Sequence, residues 1–180
     1  LSGPFLKDYV GDGVRDVPES LFPSGFYRFS RRSFLDQGRY VLGLVWVFRR
    51  DEGTFIRGFE ARAAMHSQGL PMTRDAREFR GLVMRQEDGV GALISRRGTM
   101  TGSYNFLNRV TSFENNYWVG YVARTMRETA GTVRVVRMGY EHLGNDFGLA
   151  KAASRSGGYC AVEDLLPFHQ RLLQPDKAFA

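Results

Sequence analysis

Three histidines (His66, His142 and His169) and one cysteine (Cys160) are the side chains best suited to nucleophilic or metal chemistry. No two of the histidines stand four residues apart, the spacing that sets a pair of metal ligands on one helix face. Scattered in this way they read as surface or structural residues, and no metal site is expected. Cys160 lies in Gly-Tyr-Cys-Ala-Val. A dyad with His169 is the one nucleophilic arrangement open to it, but an isolated cysteine more often packs as a small hydrophobe. The sequence has no Gly-x-Ser-x-Gly, and Gly89-Val90-Gly91 lacks the third glycine of a dinucleotide loop. Glu60, Asp88, Glu114, Glu141 and Asp146 include no carboxylate pair whose separation the spacing fixes. We therefore expect no catalytic residue, no cofactor and a non-enzymatic role.

The arginines are the more informative set. Only Lys7, Lys151 and Lys177 among the 25 basic residues are lysine, and the net charge is +6 with a pI near 9.8. The charges are dispersed, with doublets only at Arg31-Arg32, Arg49-Arg50 and Arg96-Arg97. Nucleic-acid modules usually gather such charge on one element, so direct nucleic-acid binding is not expected. Arg57, Arg62, Arg85, Arg109, Arg124 and Arg137 lie among apolar neighbours. Most should lay their stems on a sheet and reach water, and one or two should face inward, where each would need a carboxylate, a carbonyl or an anionic ligand.

The elements that must position these side chains read mainly as strands. A chain of 180 residues, 43% hydrophobic and 24% charged, suits a single globular domain. Residues 1–25 carry Pro4, Pro18 and Pro23 among several glycines and read as a connector or plug, leaving 26–180 as the domain. From Tyr40 to Phe48 both alternating faces are apolar, as expected where an interior lies on one side and a covering element on the other. A third strand is read over Thr54–Met65, which would set Glu60 and Arg62 on one face, and 67–77 reads as a loop. Asp88-Gly89 fits the central positions of a tight hairpin, and Asn115-Asn116 marks another turn. About eight strands result, an antiparallel meander long enough to close into a barrel or barrel-like sheet. The stretch around 149–153 reads as irregular. A C-terminal helix follows, with Asp164 as its cap, Pro167 in its first turn, and Leu165, Phe168 and Leu172 on one face.

Ser24-Gly25-Phe26-Tyr27-Arg28-Phe29-Ser30, the run from Tyr40 to Arg50 and the ending Leu165-Leu166-Pro167-Phe168 to Leu173 together resemble the effector half of bacterial Xre-type helix-turn-helix regulators. That resemblance implies a sensor domain that binds a small molecule and belongs to transcription regulation; nothing in this chain reads as the helix-turn-helix itself. Pockets for organic molecules are lined by aromatic residues with a few polar groups. On that basis Tyr40, Trp46, Phe59, Arg62, Tyr104 and Trp118 are the expected contacts of an apolar or amphipathic ligand, possibly anionic. Two alternatives stay open: an enzyme on a calycin-like barrel, resembling the lipocalin layout, and a protein-interaction module. A homodimer is also open. The lone cysteine excludes an internal disulfide, and with no leader-like or membrane-spanning run the expectation is a cytoplasmic protein with no membrane partner.

Overall fold

A computed structural model describes residues 4–127 and 129–179. Eight antiparallel strands run up and down in chain order: β1 (Gly25–Arg32), β2 (Tyr40–Arg50), β3 (Gly53–Phe59), β4 (Glu78–Gln86), β5 (Gly89–Arg96), β6 (Gly102–Val110), β7 (Tyr117–Arg124) and β8 (Val135–Gly144). Each pairs with the next, and β8 returns to β1, so the expected barrel is closed and has no long free edge. A short ninth strand, β9 (Gly158–Cys160), pairs with Tyr40–Leu42, at the end of β2 that β3 does not reach.

The period of two sorts the side chains. Tyr27 and Phe29, Val41, Val45 and Val47, Ile56, Phe79 and Val83, Leu107, Trp118, Met138 and Tyr140 fill the interior. Large inward rings are matched by glycines directly across the ladder: Phe29 pairs with Gly43 and Phe79 with Gly58. A Cβ at either glycine would stand 2.3 Å from the facing ring, so the small residue is what lets the large one lie across its strand.

Residues preceding β1 enter one end of the barrel. Phe22 stacks on Tyr27 at 4.8 Å and meets Trp118 edge-on at 5.6 Å. The segment's backbone is held by Arg49, which donates to the Val17 and Phe22 carbonyls, by Trp118 Nε1 to the Leu21 carbonyl, and by His142 Nε2 to the Ser24 carbonyl. We call this the closed end and the other the mouth. Ahead of it lie α1 (Pro4–Val10) and a 3-10 turn, Asp12–Val14.

Several local readings are corrected. The third strand stops at Phe59, and α2 (Arg62–Ser67) follows, with Ala64 and Met65 buried over the mouth. A short α3 (Arg74–Arg77), capped by Thr73, lies in the stretch read as loop. The stretch read as irregular is α4 (Phe147–Arg155), whose N-cap Asp146 accepts from Leu149 N–H. The β4–β5 turn is Glu87-Asp88, one residue earlier than read: Gly89 already pairs with Gln86, and Glu87 takes the left-handed conformation. Asn115 does occupy the left-handed region expected of it. The last helix, α5 (Pro167–Leu173), starts on Pro167 but is not capped by Asp164, whose carboxylate accepts from Ala161 N–H in a preceding 3-10 turn. Among the described residues no helix is long and apolar enough to cross a membrane.

Candidate functional site

Strand parity and strand ends together build the mouth. The three arginine doublets each fall at the C-terminal end of a strand, β1, β2 or β5. Because neighbours on a strand point to opposite faces, one member of each doublet turns inward. Arg49 turns toward the closed end and ties down the plug. Arg31 and Arg96 turn into the mouth, where Arg124 of β7 joins them. Their partners in the doublets point away: Arg32 donates to Tyr40 Oη and the Pro175 carbonyl, and Arg97 approaches Glu78 at 3.9 Å.

Arg31, Arg96 and Arg124 line a cavity of about 80 Å³ whose floor is Phe29, Phe79 and Tyr140 and whose side includes Glu60 and Asn105. Their guanidinium groups have weak partners. Arg31 donates to the Arg32 carbonyl at 3.1 Å, Arg96 reaches Met65 Sδ at 3.2 Å, and Arg124 reaches Gln68 Oε1 at 3.2 Å. Arg31 and Arg124 also both lie over the Phe34 ring, at 4.6 and 5.7 Å. Among the described residues none of the three makes an ion pair with a carboxylate. Burial pushes the Arg31 guanidinium below its ordinary value, Glu60 opposes this, and Arg124 adds to it. Three cations facing one carboxylate in a half-enclosed space favour an anion.

Asn105 is 2% exposed, and its Oδ1 has no hydrogen-bond partner. It lies beside the Tyr140 hydroxyl, which burial pushes well above the usual phenol range while the Asn105 amide works the other way. One water needs about 10–15 Å³, so the enclosed part of the cavity has room for roughly five to eight waters, and it opens to solvent at the mouth.

The six contacts expected from sequence are not gathered in one place. Trp118 is in the packed core beside the plug. Trp46 lies on the outer wall, stacked on Phe48 at 4.4 Å. Tyr40 is covered by Leu165 and Leu173 at the C-terminus. Tyr104 lines a shallow outer depression with Phe55, Leu82 and Leu93. Phe59 and Arg62 share an outer cleft near α4. Arg62 is exposed on α2 and so cannot share a strand face with Glu60, as had been expected. Of the six arginines singled out, Arg124 lines the mouth, Arg109 lies over Trp118 at 4.7 Å, and Arg57 pairs with Glu78 at 2.6 Å on the outside. The sequence marks Arg31 and Arg96 only as members of doublets and does not single out Asn105, although Arg31 shares parity with Phe29, and Arg96 with Ala92 and Ile94.

A second polar cluster lies outside the barrel, under α5. His169 Nε2 donates to Glu141 at 3.0 Å, and Ser30 Oγ donates to His169 Nδ1 at 2.5 Å. The connectivity is that of a nucleophile, base and acid, but Ser30 is 0% exposed and no substrate reaches it. It is a clasp that fastens α5 to β1 and β8. Burial tends to raise the Glu141 carboxyl, but hydrogen bonding to His169 and the charge of Arg28 outweigh that and hold it below the ordinary value. Burial pushes the Cys160 thiol up, opposite to what an activated nucleophile needs. Among the described residues no group of three or more histidine, cysteine and carboxylate side chains is placed to hold a metal.

Comparisons with family models, with curated proteins and with solved structures give no match.

Proposed function

We propose that this barrel is a non-enzymatic small-molecule sensor that takes a small organic anion in its mouth. The observation that carries the reading is the convergence of Arg31, Arg96 and Arg124 on one cavity with no carboxylate paired to any of them among the described residues. A guanidinium withdrawn from water is retained where an oxyanion can replace its hydration. The apolar floor supplies contact for a short carbon skeleton. The same arginines touch α2, through Met65 and Gln68, and the β1–β2 loop, through Phe34. An anion that draws them inward would trade those contacts for its own, which gives occupancy a route to the outer surface of the mouth.

Native mass spectrometry of the chain purified from its own source, beside an Arg31→Gln/Arg124→Gln double variant, tests this. The expected result is a small acidic molecule retained by the parent chain and lost from the folded variant. Bare protein in the parent, together with no change in its melting temperature across a panel of two- to six-carbon carboxylates, overturns the reading.

A further inference from the structure

The outer wall of the barrel is covered on one side, and we propose that its bare side joins a second copy of this chain, the two barrels lying antiparallel about a twofold axis. On the covered side α4 packs against β1 and β2, α5 against β1 and β8, and β9 lies beside β2. Among the described residues no helix packs on β3–β6 to that extent, where the 3-10 turn Asp12–Val14 meets β4. The register there sets one outward apolar residue of each strand side by side: Phe48, Phe55, Leu82, Leu93, Tyr104 and Ala123 are successive cross-strand partners from β2 to β7. Neighbours in such a row cover each other's edges and leave their outer faces to solvent. Leu93, near its middle, is 48% exposed, and Trp46, stacked beside Phe48, is 40% exposed. A row of large apolar side chains without a covering element marks an interaction face.

Charge selects the occupant and its orientation. On the mouth side of the row, Arg57, Arg80 and Arg97 stand round Glu78, three cations to one carboxylate. On the closed-end side, the β4–β5 turn carries Glu87 and Asp88, and the β2–β3 turn carries Asp51 and Glu52. Arg85, and Arg50 beside Asp51 at 4.0 Å, offset part of that negative charge. An isologous pair whose twofold axis runs along the row sets each row residue against its own counterpart and brings the mouth end of one barrel beside the closed end of the other. Arg97 lies four residues from Leu93 toward the mouth, and Asp88 five residues from it toward the closed end. At roughly 3.4 Å per residue they stand about 14 and 17 Å from the axis, on opposite sides of it. The twofold therefore sets Arg97 of each chain opposite the partner's Asp88, within the reach of an arginine side chain. Both residues are exposed, and Asn108 Nδ2 donates to Asp88 Oδ1 at 2.5 Å, which holds that carboxylate at the rim. With the axis along the strands, like charges would meet at both ends. A wall whose two ends match each other across its own apolar row suits a second copy better than an unlike partner.

Sedimentation equilibrium of the full chain tests this. Four strands span only about 15 Å at a spacing of roughly 4.8 Å, which suits a small, reversible interface and a dissociation constant of about 1–100 µM. The expected species is twice the mass of the 20.4 kDa chain, and added salt should weaken it. Leu93→Arg, a change at an exposed position, should weaken the dimer at least about 10-fold while its circular dichroism stays that of the parent. Asp88→Arg and Arg97→Asp should each weaken it about 5-fold at low salt, since the pair occurs twice per dimer. Both changes in one chain should bring the affinity back to within about 2-fold of the parent, because the exchange restores unlike charges across the axis. A chain that stays monomeric up to about 500 µM overturns the proposal, and flotation of that monomer with phosphatidylglycerol vesicles would give the wall to a membrane instead. A dimer indifferent to Leu93→Arg overturns the choice of wall, and additive losses in the Asp88→Arg/Arg97→Asp variant overturn the antiparallel arrangement. If Leu93→Arg does not fold, the cycle at the two exposed rim positions decides alone.

Discussion

Replacing Phe22 with alanine should loosen the closed end of the barrel without opening the sheet. The Phe22 ring is 1% exposed and meets three rings, at 4.8 Å from Tyr27, 5.6 Å from Trp118 and 6.5 Å from Tyr140. Truncating a core phenylalanine costs about 3–5 kcal/mol, more when the walls cannot collapse into the space. Here the walls are strands locked in register on both sides, and the plug backbone is pinned by Arg49, Trp118 and His142, so the space stays open. We therefore expect a loss of about 4 kcal/mol in urea unfolding, equivalent to roughly 8–16 °C in melting temperature for a chain of this size. Fluorescence gives an independent check, because the chain has two tryptophans, Trp46 at 40% exposure on the outer wall and Trp118 at 1% in the core. In a Trp46→Phe background, Phe22→Ala should shift Trp118 emission to the red and make it accessible to acrylamide. A stability loss below about 1 kcal/mol with Trp118 still protected from quencher would refute the claim that this segment seals the barrel.

Two further outcomes follow from the clasp and from the barrel wall. His169→Ala should cost about 3 kcal/mol at pH 7, because it leaves Ser30 Oγ buried without a partner and creates a void. Glu141's folded-state carboxyl is held low, so its contribution is present above the unfolded carboxylate value near 4.3 and is lost as pH falls through the folded one. The gap between parent and variant should therefore narrow in urea titrations near pH 3, and an equal gap at both pH values would sink the assignment. Gly120→Ala should be among the most damaging single-methyl changes in the chain. Its Cβ would fall 1.7 Å from the Phe106 carbonyl oxygen, and backbone must move to admit it. A loss of about 3 kcal/mol or more is expected by chemical denaturation, and a neutral result would show that β6 and β7 are not in this register.

The barrel was legible because β-strand patterning is local. The alternating apolar faces of Tyr40–Phe48, the turn at Asn115 and the hairpin near Asp88 each reveal themselves within a few residues, and closure follows from their number. The helices were less legible because their signals competed with stronger ones. Gly148 and the glycines around 157 hid α4, although Asp146 is a regular N-cap and Ala150 and Ala153 mark its buried face. The alanines of 61–64 favour a helix, but the strand alternation before them was carried forward too far. The site was least legible, because Arg31, Asn105 and Arg124 meet only through closure of the barrel. Aromatic residues were a poor guide to it. On a sheet with apolar residues on both faces, ring count does not tell interior from outer wall, and Trp46, Phe59 and Tyr104 are all on the outer wall.

Dispersion of charge along the sequence is also not dispersion in space. An up-and-down meander sends alternate loops to opposite ends, so a charge that alternates with the loops becomes an axial field. The hairpin turns of the closed end, at 51–52, 87–88 and 111–116, contain Asp51, Glu52, Glu87, Asp88 and Glu114 and no basic residue. The loops of the mouth, at 33–39, 60–77, 97–101 and 125–134, contain Arg39, Arg62, Arg74, Arg77, Arg97, Arg127 and Arg134, against Asp36, Glu60 and Asp75 among the described residues. The inward guanidiniums of Arg31, Arg96 and Arg124 lie behind that ring. Outside it, Glu78 is held below its ordinary value by hydrogen bonds from Arg80 and Arg57, so part of the outer arginine charge is already neutralised by the protein. The inner set faces Glu60 alone and makes no ion pair with it among the described residues. A barrel that neutralises part of its outer arginine charge and leaves Arg31, Arg96 and Arg124 without an ion pair among the described residues carries positive potential at the mouth.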